Sequence, residues 1–271
     1  MTTTHPIGLA ALTVLELAPP DMVSCAAEAG FASIGLRLLP ATAEEVQHAI
    51  VGDTPLARET ARRIADTGLP VLDIEIFRLK PDTIVADYRA ALETGARFGA
   101  REVLVAGNDP DEARLIERFA LFCELAGEYG MAADLEPMPW TDVRNFMQGA
   151  RIVAAAGQAN AGVLIDPIHF DRGGSVAGEI ANVPASRLRY LQLCDAPAER
   201  PHDTATLLHQ ARAERLMPGD GGLDLRGILR AVPPDVPLSI ECPMHTLAAT
   251  MPALERARAM LAKTRKLLET L

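Results

Sequence analysis

Basic residues are the scarcer charge in this 271-residue chain: 26 Lys and Arg stand against 36 Asp and Glu, a formal net charge of −10. That balance excludes a partner held by bulk phosphate attraction, which requires clustered Lys and Arg. Aromatic residues make up only 4%, so the stacking platforms of single-strand nucleic acid binders are missing too. No nucleic acid partner is expected. Cys25, Cys123, Cys194 and Cys242 lie far apart with no CxxC pair. Their spacing argues against a zinc knuckle or a disulfide framework and reads as buried, reduced thiols of a cytoplasmic protein. No run approaches the ~20 apolar residues of a membrane span. The opening MTTTHPIGLAAL has no basic region and no long apolar stretch, so neither export nor membrane attachment is expected. There is also no Ser/Gly linker to divide the chain, and no GxGxxG after a first strand to mark a dinucleotide-binding sheet.

What is present is alternation. Eight short β-like runs recur: IGLAAL (7–12), SIGLRLL (33–39), VLDIEIF (71–77), EVLVAG (102–107), MAADLEPM (131–138), GVLID (162–166), RYLQLCD (189–195) and PLSIECP (237–243). Amphipathic stretches separate them, and Gly30, Gly68, Gly99, Gly130 and Gly157 each stand just before the next run. Glycine past a last helical turn takes the left-handed conformation that turns the chain back toward a sheet. Strand-helix steps of about 30 residues match one βα unit. Eight of them predict an α/β fold, a (β/α)8 TIM barrel formed as one domain over residues 1–271.

In such a barrel the chemistry sits at the C-terminal ends of the strands. Glu75 on strand 3, Glu136 on strand 5, Asp166 on strand 6, Gln192 on strand 7 and Glu241 on strand 8 all fall toward that end. Any one could be a helix cap or a solvated loop residue. Together they are harder to explain that way, because converging carboxylates repel unless a cation lies between them. The expectation is a bound divalent ion, and oxygen donors favour Mg2+ or Mn2+. Gln192 raises its own question, since a buried amide without a partner costs about 1–3 kcal/mol.

Around this set, His169 follows Asp166 by three residues, and Trp140, the only tryptophan, follows Glu136 with Met138. His209 and His245 are further residues that could reach the mouth. Arg215 precedes the Pro218–Gly222 turn, where its planar fork could hold substrate oxygens. Arg212 reads as part of a solvated helix face, and Arg37 and Arg78 as solvated rim charges.

The set LEPM, IDPIHF, LQLCDAP, RAERLMPGDGGLDL and SIECP, in this order on successive strands, resembles the xylose-isomerase-like barrels, the sugar phosphate isomerase/epimerase family. The resemblance covers nearly the whole chain. It implies that Glu136, Asp166 and Glu241 are metal ligands, and that Gln192 takes the place of the fourth, usually a histidine in a His-x-x-Asp pattern completed here by Asp195. It further implies that His169 and Arg215 bind substrate, with Glu75 a looser match; Trp140 on the rim, read from its position alone, is either packing or a substrate wall. The extra histidines of the family's DNA-repair endonuclease branch are missing at matching strand ends. The expected reaction is isomerisation or epimerisation of a keto sugar, inosose or related compound through a metal-stabilised enediolate, with Glu136 and Glu241 as the bases and His169 assisting. The alternative is a 3-dehydroshikimate dehydratase-like lyase, which would call on Arg37 or Arg78 for a substrate carboxylate. A small-molecule substrate is expected either way, and a homo-oligomer is compatible with the sequence.

Overall fold

The structure, a computed structural model, describes residues 5–271; the first four residues of the N-terminal stretch read above lie outside it. Eight strands follow one another: β1 Ile7–Leu9, β2 Ser33–Arg37, β3 Val71–Leu79, β4 Glu102–Gly107, β5 Ala132–Glu136, β6 Ala161–Val163, β7 Leu191–Leu193 and β8 Leu238–Ile240. Each lies within or overlaps one of the eight predicted runs. All seven ladders are parallel, in the order β6-β5-β4-β3-β2-β1-β8-β7. The sheet curls on itself, and the remaining gap between β6 and β7 is bridged by Ile165 and Leu191, with the Gln192 N–H donating to the Ile165 carbonyl at 3.0 Å. This is the TIM barrel that the alternation predicts.

The described residues form ten α-helices, eight between strands and two after the last: α1 Pro19–Ala29, α2 Pro55–Thr67, α3 Arg89–Arg97, α4 Glu112–Glu128, α5 Phe146–Ala156, α6 Pro167–Arg172, α7 Thr204–Ala213, α8 Leu225–Ala231, α9 His245–Ala248 and α10 Ala253–Leu268. Side-chain caps set several starts, as where Asn145 accepts from the Gln148 N–H and begins α5. At the other ends Gly30, Gly68 and Gly157 adopt left-handed φ values of 89°, 65° and 68°. Only glycine takes that conformation without strain, so the predicted stops coincide with the observed ones.

Two apolar compartments result. The larger lies between strands and helices, as in β4, where Val103 and Val105 face outward. The smaller fills the barrel with Leu72, Ile76, Leu104, Ala106, Met138, Leu164 and Tyr190. Each of the Leu, Ile and Met side chains contributes about 1.5–3 kcal/mol by leaving water. Together they make a closed floor beneath the strand ends. The four cysteines are buried and unpaired. No helix among the described residues is long and apolar enough to cross a membrane.

Candidate active site

The chain places Asp166 and His169 by ending β6 early. Asp166 caps α6, its Oδ1 accepting the Ile168 N–H at 3.0 Å, and Pro167 supplies the first helical residue. One turn later His169 returns to the same face. Its Nε2 lies 3.6 Å from Glu136 Oε1 and 3.7 Å from Asp166 Oδ2. One donor atom from each of Glu136, Asp166 and His169 fits within a 4.8 Å span, and all three residues are buried. These separations are long for hydrogen bonds. They are near those of donors sharing one ion at about 2.1 Å each, which stand roughly 3–3.5 Å apart.

Protonation supports the same reading. Burial pushes the His169 imidazole down to about 4, against the pull of Asp166, so the ring is neutral at pH 7 and keeps a lone pair. Burial would raise Asp166 as well, but Arg215 and His169 together hold it below the ordinary carboxyl range. Glu136 is pushed well above that range by burial and by Glu241 and Asp166. Burial, with Glu75 and Asp166, lifts Glu241 to about 8 although Arg215 opposes them. Without a cation the site therefore retains protons.

Arg215 is the residue that joins the two sides. Its Nη1 reaches Asp166 Oδ2 at 2.6 Å, its Nη2 reaches Glu241 Oε2 at 2.9 Å, and its Nε donates to the Ala211 carbonyl. Gln192 is fully buried and donates its Nε2–H to Glu241 Oε1 at 2.9 Å, leaving its own Oε1 buried without a hydrogen-bond partner. A neutral oxygen so placed, beside carboxyls, fits a hard cation. Asp195 points away from this group and shapes a loop instead. It accepts backbone N–H groups of Ala196, Gly219, Gly221 and Leu223 and so fixes the glycine-rich turn.

The pocket above these groups is also lined by Glu75, Met138, Trp140, Arg37, Arg78 and Arg212. Trp140 packs edge-on against His169 with ring centroids 4.8 Å apart. Glu75 Oε1 accepts from Arg37 at 3.2 and 3.3 Å, while Glu75 Oε2 is buried and unpaired. Three arginines depart from the sequence reading. Arg37 is held between Glu75 and Glu45, Arg78 donates to Asn108, and Arg212 lies over the Trp140 ring, 5.8 Å from its centre. They line the pocket because β2, β3 and α7 all deliver side chains to the same rim. His209 and His245 are outside that lining. Sequence reasoning also missed Glu45, which sits on a loop with no pattern around it to mark it.

Residues 23–267 match the family model described as xylose isomerase-like TIM barrel. Among curated proteins, a 3-dehydroshikimate dehydratase of Pseudomonas aeruginosa is 29% identical over 189 residues, 65% of this chain and 29% of that protein. The chain thus spans about three tenths of the length of the curated relatives it matches. Among solved structures, the IOLI protein with a bound zinc atom superimposes with a TM-score of 0.79 at 18% identity, covering 97% of both chains. A D-allulose 3-epimerase from Methylomonas superimposes with a TM-score of 0.68 at 15% identity, over 100% of this chain and 99% of that one.

Proposed function

The chain belongs to the xylose isomerase-like TIM barrel family, and we propose that it is a divalent-metal-dependent isomerase or epimerase of a keto sugar, inosose or related polyhydroxy carbonyl compound. The observation that carries this reading is the convergence of buried Glu136, Asp166 and His169 within 4.8 Å, beside a pocket that Glu136, His169 and Glu241 line. Glu136, Asp166, Gln192 and Glu241 would hold Mg2+ or Mn2+, with His169 at the edge of the ion's site. A divalent ion there supplies positive charge beside the substrate oxygens and so acidifies the C–H next to the carbonyl.

The chain's own groups do the rest. Glu136 and Glu241 enter from strands three apart around the barrel, so one carboxylate removes the carbon-bound proton and the other returns it. Return on the opposite face of the same carbon epimerises; return to the neighbouring carbon exchanges aldose and ketose. The open Oε2 of Glu75 accepts from a substrate hydroxyl, the Arg215 fork and His169 orient oxygens, and Trp140 excludes water from one side.

One observation favours a second reading, loss of a β-hydroxyl as water after the same proton removal. Arg78 and Arg212 line the pocket without carboxylate partners, and burial together with Arg212 and Arg37 lowers Arg78 from its ordinary value. Crowded cations of this kind suit a substrate carboxylate, and the curated relatives are dehydratases. Incubating the Mn2+-loaded protein in D2O with keto sugars, inososes and 3-dehydroshikimate separates the two. Deuterium uptake without water loss is the expected result; a conjugated ultraviolet-absorbing product from dehydroshikimate would replace it with the second reading.

A further inference from the structure

Glu241 lies one residue past the end of its strand. The β1–β8 ladder stops at the Leu9–Ile240 pair, because after Ala10 the chain turns into a 3-10 helix over Ala11–Val14. Ala10 makes the last direct contact, its N–H donating to the Ile240 carbonyl at 3.0 Å, while on the other side the Glu241 N–H donates to the Leu193 carbonyl at 3.0 Å. Beyond that point the β1 side is continued by one hydroxyl. Thr13 Oγ1 donates to the Ile240 carbonyl at 2.7 Å and accepts the Cys242 N–H at 3.0 Å, so a single buried oxygen ties the peptide groups on both sides of Glu241. Thr13 is itself held from behind. Its carbonyl accepts from Arg256 at 3.4 Å, and Arg256, 1% exposed on α10, also pairs with Glu16 and donates to the Met251 carbonyl.

We propose that Thr13 is a positioning residue for Glu241, fixing the backbone from which that carboxylate reaches the ion and the substrate. The inference rests on the reading of Glu241 as a metal ligand and base. A side chain whose backbone pivots by a few tens of degrees moves its carboxylate by more than an ångström, and outer partners of metal ligands commonly change metal affinity by about 10–100-fold. Thr13 touches neither ion nor substrate in this scheme. Its effect passes entirely through residues 240–242.

The test compares Thr13→Val, which keeps shape and removes both hydrogen bonds, with Thr13→Ser, which keeps the hydroxyl, and with Glu241→Gln. Mn2+ binding to each metal-free protein is measured by calorimetry, and amide hydrogen exchange of the segment around Cys242 is followed alongside. Thr13→Val should weaken Mn2+ about tenfold and speed exchange at Cys242, with Thr13→Ser restoring both to within about threefold of the parent. Parent-like Mn2+ affinity in Thr13→Val, with Glu241→Gln impaired, overturns the proposal alone. Equal losses in the Val and Ser variants also overturn it, since the hydroxyl would then not be the cause. Parent-like affinity in Glu241→Gln removes Glu241 from the ligand set, and with it both the reading and the inference.

Discussion

The barrel interior carries carboxyls on two levels, and β3 and β5 each supply one to both. Glu75 and Glu136 lie on the upper level; Asp73 and Asp134, two residues earlier, lie on the lower. Burial raises the proton affinity of Glu136 above and of both aspartates below, where Glu75 and Glu241 add to the effect on Asp73 and Glu102 to that on Asp134. The surroundings differ. Above, Arg37, Arg215 and His169 stand within 4 Å of a carboxylate and the groups open on a pocket. Below, Asp134 has only the Glu102 carboxyl as a hydrogen-bond partner, and Asp73 meets only the Tyr190 hydroxyl, at 3.4 Å. Gly35 and Gly162 make room there: a Cβ on Gly35 would come 2.5 Å from Asp73 Oδ1, and one on Gly162 would overlap Asp134 Oδ1. A buried carboxyl on one and the same strand thus becomes an anion more readily where a cation can come beside it.

Breaking this comparison requires the two levels to respond alike. Glu136→Gln and Glu241→Gln should each lower the deuterium-exchange turnover by about 10²–10⁴-fold. Asp73→Asn and Asp134→Asn, which swap a neutral acid for a neutral amide, should change it by less than about tenfold, under ~1.4 kcal/mol. Comparable losses on both levels would show that the lower carboxyls take part in the chemistry.

Arg215→Met strips the upper level of its central cation and should destabilise the metal-free protein by about 3–5 kcal/mol in urea unfolding, since Asp166 and Glu241 stay buried without the guanidinium that pairs with both. Saturating Mn2+ should narrow the deficit. A metal-independent loss would mean that the ion does not share those carboxylates with the arginine.

A third prediction concerns protons. With Glu241 raised to about 8 and Glu136 raised as well, an ion must displace protons to bind. Mn2+ affinity should climb between pH 6 and 8, by up to about tenfold per pH unit for each proton released, and flatten above. Calorimetry in buffers of different ionisation enthalpy reads the proton release directly, and none at pH 7 would contradict the assigned protonation.

The smallest effect is expected on the lower level. Asp134 binds its proton more tightly folded than unfolded, so its contribution is intact below the unfolded pKa of about 4 and is lost as pH rises toward the folded value. Replacing it by Asn removes that loss. The melting temperature of Asp134→Asn should exceed that of the parent by more at pH 8 than at pH 5, and an unchanging difference would mean that Asp134 is already ionised.

Much of this was legible in the sequence, and what was not has a common cause. Strand positions and helix stops are local: alternation and the glycines mark them within a few residues. The strand-end positions Glu136, Asp166, Gln192 and Glu241 were legible because a barrel sends all its strand ends to one face; the close cluster found there is Glu136, Asp166 and His169, while Gln192 hydrogen-bonds Glu241 beside it. The lengths of β6, β7 and β8 were not, since the predicted runs continue into caps and loops that the same apolar residues also serve. Arg37 and Arg212 escaped because an arginine on a rim looks the same in sequence whether it faces water or a pocket. Thr13 escaped for a stronger reason: its hydroxyl partners lie 227 and 229 residues away.

The joint between β6 and β7 has a mechanical meaning. Every other neighbouring pair of strands shares a ladder, whereas the backbone pairing here is the Ile165–Leu191 bridge, backed by Arg187 Nη1 donating to the Ala161 carbonyl at 2.8 Å. A seam with so little backbone pairing is the part of the wall expected to open below the free energy of global unfolding. Asp166 follows Ile165 on one lip of the seam, and Gln192 follows Leu191 on the other. An ion gripped by both would be a rivet as much as a reagent, and loading it would harden the wall of the barrel at its softest line.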